Sequence, residues 1–121
     1  MAKDLHISLL FDFYGSMLTE KQRRIVEYYY NDDLSLSEIA ENEGITRQGV
    51  HDFVKRAEGQ LLEMEQKLGL VHRFREMMDG LQKIGEAAGR IREYNQHYIY
   101  AREIDEDAKK ILEITRRLCN E

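Results

Sequence analysis

The sequence predicts an all-α protein, and three observations predict it. Proline is absent from all 121 residues, 34% of the residues are charged, and the apolar residues recur at three- and four-residue spacing. No stretch requires a strand. A chain of this length holds one domain's worth of material, or a small unit with an appendage, and can pack a core without covalent staples.

The first helix is expected from Asp4 to Tyr14, because Ile7, Leu10, Phe11 and Tyr14 fall at i, i+3, i+4 and i+7, with Gly15 as its stop. Leu5, Leu9 and Phe13 lie off that stripe, so the helix needs cover on two sides, from the rest of the chain or from a second copy. A second helix starts behind Thr19, whose hydroxyl caps while Gln22 reaches back, and it turns Ile25, Val26 and Tyr29 inward. The run Tyr28-Tyr29-Tyr30 favours strands locally, but it sits inside a capped, helically periodic segment; one tyrosine should be buried and two partly exposed.

A third, short helix opens at Ser35 with a capping box completed by Glu38, buries Leu36, Ile39 and Ala40, and stops at Gly44, which can take the left-handed backbone conformation. The fourth opens at Thr46 and carries Val50, Phe53, Val54, Ala57, Leu61 and Met64 or Leu68 on one side. Gly69 closes it, with Leu70 folding back on Met64. Unbroken, it spans about 22 residues, or roughly 33 Å, more than a compact DNA-reading unit requires.

Beyond it, Phe74, Met77, Leu81, Ile84, Ala88 and Ile91 keep a 3-4-3-4-3 spacing, which Ala101, Ile104, Ala108, Ile111, Thr115 and Leu118 repeat. Two amphipathic helices joined near Gln96 to Tyr100 follow. Their seams are too narrow to stand alone, so they should pair with each other, with the fourth helix, or across a dimer. Gly80, Gly85 and Gly89 each cost ~1 kcal/mol against alanine in a helix interior and mark close helix crossing or a weak helix. No Lys-Ser or Lys-Thr pair follows them and no strand precedes, so they form no phosphate loop.

Two of these helices satisfy the demands of a helix-turn-helix, a small residue at the crossing and a glycine in the turn, through Ala40 and Gly44. Ile39, Ile45, Val50 and Phe53 supply the contacts between them, leaving Arg47, Gln48, Gly49, His51, Asp52 and Lys55 outward. Glu43 stands beside the turn where an apolar residue is usual, and is expected to face water.

The stretches FDFYGSMLTEKQ, DDLSLSEIAENEGITRQGVHDFVKR and KLGL together resemble the YlxM-type proteins, small bacterial proteins whose helix-turn-helix is similar to region 4 of sigma-70 factors. The resemblance covers about Leu5 to Leu70; after Phe74 it extends only to helical character. Such proteins are typically encoded beside the GTPase of the signal recognition particle. The resemblance therefore implies a DNA-binding or regulatory component of that protein-targeting pathway.

If the fourth helix enters a major groove, Arg47 can pair with guanine, Gln48 with adenine and His51 with base or phosphate, while Thr46 and adjoining backbone N–H groups hold a phosphate. Lys55 and Arg56, with Lys21, Arg23 and Arg24 on the second helix, are candidates for further backbone contacts. Against this, Thr19 to Gln60 holds six basic side chains and nine acidic ones, whereas DNA-docking faces are usually basic. Asp52 is a penalty inside the reading face unless it pairs with Arg56 four residues on. Weak, salt-sensitive DNA binding by a monomer, or none, is expected; a homodimer gains by effective concentration.

The formal net charge of -5 gives no general affinity for polyanions, and the acidic third helix suits docking on a basic protein partner such as the targeting GTPase; the RNA of the targeting particle is a further alternative ligand. His6, His51, His72 and His97 are scattered without ligand spacing, so no catalysis, metal or cofactor is expected. Cys119 is the single cysteine, which excludes an internal disulfide and fits a reducing cytoplasm. The opening MAKDLHISLLFDFY has an apolar patch broken by Asp12 and no small-residue cleavage site, so no signal peptide is expected. No run approaches the ~20 apolar residues a membrane span needs. The expected organisation is a sigma-region-4-like helix-turn-helix domain over residues 1–69 and a helical hairpin over 70–121 for packing or dimerisation.

Overall fold

The computed structural model describes residues 4–120, and every regular element among them is helical. In chain order these are α1 (Leu5–Tyr14), a 3-10 turn (Gly15–Met17), α2 (Glu20–Tyr30), α3 (Leu36–Glu43), α4 (Arg47–Leu68), α5 (Leu70–His97) and α6 (Arg102–Asn120). The backbone divides into two compact units, with the boundary between Val71 and His72.

In the first unit, α4 is the element that α1, α2 and α3 all touch. Its inward stripe serves two apolar clusters in succession. Val50 and Val54 pack with Ile25, Tyr29, Ile39 and Ala40. One turn further on, Ala57 and Leu61 pack with Ile7, Leu10, Phe11, Tyr14, Leu18, Val26 and Val71. Met64 joins that second cluster at its edge, while Leu68 stays half exposed.

The helix ends follow local chemistry. Thr19 and Ser35 each complete a capping box, with Gln22 and Glu38 reaching back to the cap amide. Gly44 and Gly69 close α3 and α4 at φ 67° and 64°, the left-handed region that glycine enters without penalty. Gly15 also caps the end of α1, its amide returning to the Phe11 carbonyl, but at φ -57° rather than in the left-handed region, and it begins the 3-10 turn. Its missing side chain is required by packing, since a Cβ there would stand 2.9 Å from the Phe11 ring. Leu70 does not fold back on Met64; it is 44% exposed, and its neighbour Val71 enters the cluster instead.

A polar clamp fixes the end of α4. The Tyr14 hydroxyl donates to Glu65 Oε1 at 2.5 Å and accepts from the Leu70 amide at 3.1 Å, while the Val71 amide donates to the same carboxylate oxygen at 3.1 Å. Of the three consecutive tyrosines only Tyr29 is buried; the Tyr30 hydroxyl donates to Glu58 on α4, and its ring meets Tyr29 edge-on at 5.1 Å.

The second unit is an antiparallel pairing of α5 and α6. Its turn is tied by Asn95, 6% exposed, whose side chain donates to the Ala101 carbonyl at 2.8 Å and accepts from the Ala101 amide at 2.9 Å. Arg92 donates to Asp105 at 3.1 Å, and Ala88, Ala108 and Thr115 are enclosed. Gly85 marks a close crossing, because a Cβ on it would approach Thr115 Oγ1 to 3.1 Å; around Gly80 and Gly89 the space is open. The expected single seam is therefore divided. Leu81 and Ala88 turn towards α6, whereas Met77, Ile84 and Ile91 are more than half exposed.

Leu61→Ala removes a fully enclosed side chain beside α1 and should cost about 2–5 kcal/mol in denaturant unfolding. Gly59→Ala, on the exposed side of α4 with open space around the new methyl, should raise stability by up to ~1 kcal/mol. Burial, and then the hydrogen bonds to Glu65 and Glu58, raise the Tyr14 and Tyr30 phenols above the ordinary 10.0. Folded values above the unfolded one mean that this contribution is complete below that pH and is lost as pH climbs through the folded values. A titration of phenolate absorbance should show Tyr30 ionising late, and Tyr30→Phe should remove that late step.

Candidate nucleic-acid interface

The turn between α3 and α4 is built from backbone bonds and one side-chain cap. The amides of Gly44 and Ile45 both return to the Ala40 carbonyl, Ile45 at 3.1 Å, and Ala40 is almost fully enclosed where the helices meet. Thr46 Oγ1 then accepts from the Gly49 amide at 2.9 Å. A Cβ on Gly49 would crowd that hydroxyl at 3.1 Å, which accounts for glycine inside the first turn. The cap uses the hydroxyl oxygen as acceptor, so its proton stays available to a phosphate. The amides of Arg47 and Gln48 precede the first intrahelical acceptors and point out of the helix end.

At 100° per residue, the outward side of α4 resolves into two neighbouring rows. Arg47, His51 and Lys55 form one, at i, i+4 and i+8; Gln48, Asp52 and Arg56 form the other. All are exposed except His51, which is partly buried with its Nδ1 enclosed and lacking a hydrogen-bond partner among the described residues. The first row is basic. The second is mixed, and its members engage each other differently from expectation: Asp52 accepts from Gln48 Nε2 at 3.1 Å, four residues before it, and makes no ion pair with Arg56. Adenine recognition by Gln48 would have to displace that bond. Arg56 is left with its guanidinium in solvent.

The basic residues of α2 separate. Lys21 sets its ammonium 5.1 Å from the centre of the Phe53 ring, so it stands beside α4. Arg23, two residues on, lies about 200° round the helix from Lys21 and does not join it. Arg24 donates through Nε to Glu43 Oε1 at 2.7 Å. Glu43 thus does not face water; its side chain is only 10% exposed and it ties the end of α3 to α2. The Glu43 hydrogen bond raises the Arg24 pKa, which keeps the pair charged. Of the remaining candidates, Lys55 lies 3.6 Å from Glu58, while Arg23, Arg47 and Arg56 carry no ion pair to the described residues.

Neither clamp that orients this face, Arg24–Glu43 or Tyr30–Glu58, was recognised in the sequence, since their partners stand 19 and 28 residues apart. No cluster of three or more His, Cys, Asp or Glu side chains suited to a metal ion occurs among the described residues. No helix among them is long and apolar enough to cross a membrane.

A short helix crossing a longer one at a glycine turn, with the longer helix presenting its N-terminal side chains to solvent, defines a helix-turn-helix protein. A family model described as "Putative helix-turn-helix protein, YlxM / p13 like" matches residues 1–100, and the chain belongs to that family. A UPF0122 protein of Thermoanaerobacter sp. (strain X514) is 48% identical over 110 residues, covering 91% of this chain and 94% of the relative. One from Caldanaerobacter subterraneus subsp. tengcongensis is 55% identical over 82 residues, 68% of this chain and 70% of its own. A third, from Desulforamulus reducens, is 58% identical over 73 residues, 60% of this chain and 62% of its own.

Asp52→Asn removes a negative charge from the outermost row of α4 and weakens its hold on Gln48. Affinity for duplex DNA, read by fluorescence anisotropy at low salt, should rise severalfold.

Proposed function

We propose that this protein is a DNA-binding regulator of the signal recognition particle pathway, acting in the cytoplasm without chemistry of its own. The observation that carries the DNA reading is the basic row Arg47–His51–Lys55 beside the open N-terminal turn of α4, held clear of the core by the glycine turn. In this reading Arg47 meets a base edge, and Thr46 with the first-turn amides takes a phosphate. Lys55, Arg56 and Lys21 flank the groove as backbone contacts, and His51 reaches base or phosphate. Gln48 reads adenine only by exchanging Asp52 for the base. Arg23 and Arg24 contribute less, one by its position and the other by its bond to Glu43. The link to protein targeting is supported by the resemblance of the family to proteins encoded beside the targeting GTPase.

One observation favours a second reading. Asp52 occupies the outermost row of the helix that would enter the groove, and Glu38 and Glu41 stand exposed on α3. Such a surface suits a basic protein, so the alternative is an adaptor that contacts the targeting GTPase with this face, with the particle's RNA as a further alternative ligand.

Titration against fluorescent DNA from the protein's own operon, the targeting-particle RNA and the GTPase, at low and physiological salt, separates the two. The DNA reading expects binding that weakens steeply with salt and falls about tenfold or more on Arg47→Ala. Absence of DNA binding beside firm association with the GTPase or the RNA would establish the adaptor instead.

A further inference from the structure

The hairpin of α5 and α6 uses one seam internally and carries a second that nothing in its own unit covers. On α5, Leu81, Gly85, Ala88, Arg92 and Asn95 turn towards α6; Met77, Ile84 and Ile91 follow one another at strict seven-residue intervals beside them, 57, 51 and 51% exposed. On α6, Ala108 and Thr115 are enclosed, while Ile104, Ile111 and Leu118 repeat the seven-residue interval at 46, 38 and 42% exposure. In each helix the exposed stripe is rotated in the same sense from the internal contact, viewed along its own chain direction. Because the helices run antiparallel, equal rotations bring both stripes to one face of the hairpin. Ile91 and Ile104 line one shallow apolar depression together. The groove lined by Gln82, Glu86, Leu112 and Arg116 lies on the other face.

We infer that this face binds a second copy of the same hairpin, completing a four-helix bundle. The two stripes alternate along the face: Arg92 stands beside Asp105 and Gly85 beside Thr115, so the α6 positions fall between those of α5. A copy turned by 180° about an axis through Ile84, perpendicular to the helices, lays α5 on α5 and α6 on α6, each antiparallel, and sets Ile84 on Ile84 and Met77 on Ile91.

Charge follows the same symmetry. Glu76 and Arg90 flank the stripe on α5 one heptad either side of Lys83. The rotation brings Glu76, which lies 3.2 Å from His72 on its own helix, opposite Arg90 of the second copy, twice. Lys83 lies beside the axis, drawn back to Asp79 at 3.0 Å. Gly80 borders the stripe between Met77 and Ile84. Glycine is a destabilising choice inside a helix, and beyond its own helix backbone no atom of the described residues lies within 4 Å of the place its Cβ would take; a close neighbouring helix gives it a purpose. The six apolar side chains expose on the order of 500 Å² per copy, so two copies remove roughly 1,000 Å², the size at which a specific interface begins.

The test needs no nucleic acid, so its outcome is independent of the DNA reading. Sedimentation velocity on the full chain at micromolar concentration should show a dimer. Ile84→Glu combined with Ile111→Glu, both at exposed positions, should leave the circular dichroism spectrum unchanged and raise the dissociation constant at least about a hundredfold. In a Cys119→Ser background, Ile84→Cys should form an 84–84 disulfide between copies on mild oxidation. A wild-type monomer, a double variant that still dimerises, or a dimer in which cysteines introduced at 84 and 111 link only to each other would overturn the proposal.

Discussion

Val50, Val54, Ala57 and Leu61 share one face of α4, and each is fully enclosed. The first two belong to the cluster that holds α3 against α2, and the second two to the cluster that holds α1. A helix is stiff over this distance, so the two clusters cannot settle independently: the seating of α1 against the later turns fixes where the first turns lie. The extra length of α4 over a minimal DNA-reading helix is thus the beam on which α1 rests. Tyr14 secures the far end by bridging α1 to Glu65 and to the first amides of α5.

The acidic side chains of this unit are partly consumed by its own architecture. Glu43 neutralises Arg24, Glu58 receives the Tyr30 hydroxyl and lies near Lys55, and Glu65 receives Tyr14. A charge count along Thr19 to Gln60 treats Glu43 and Glu58 as solvated, whereas Glu43 is spent on Arg24 and Glu58 is turned to Tyr30 and Lys55, so neither lends a free carboxylate to the outward face. What remains on that face is a basic row beside a mixed one. The two rows answer the question of charge differently, and a single helix presents both.

The helix ends were legible because their determinants are local: Thr19 with Gln22, Ser35 with Glu38, and Gly44 and Gly69 at their stops all lie within a turn of what they control. The inward face of α2 and the enclosure of Tyr29 were legible for the same reason. Gly15 closes α1 as its position predicts, but the reason for glycine there, the Phe11 ring lying against it, depends on packing that the sequence does not display. Asp52 has Arg56 four residues ahead and Gln48 four behind, equally spaced, and it is Gln48 that holds the bond. Glu43 was placed in water because its partner sits on another helix. In the hairpin, alternating three- and four-residue spacing was read as one seam, but two seams offset by a fraction of a turn give the same pattern; only the position of α6 separates them.

The Asn95 clamp has a kinetic consequence. It closes the α5–α6 turn using groups only six residues apart, so the loop to be closed is short and its entropy cost small. From there each successive pair, Arg92 with Asp105 and then Gly85 with Thr115, is separated by progressively more chain, and the helices can engage in the manner of a zip. Such contacts form early and need no help from distant parts of the sequence. Thermal fraying runs the other way, opening the Met77–Leu118 end while the turn stays shut.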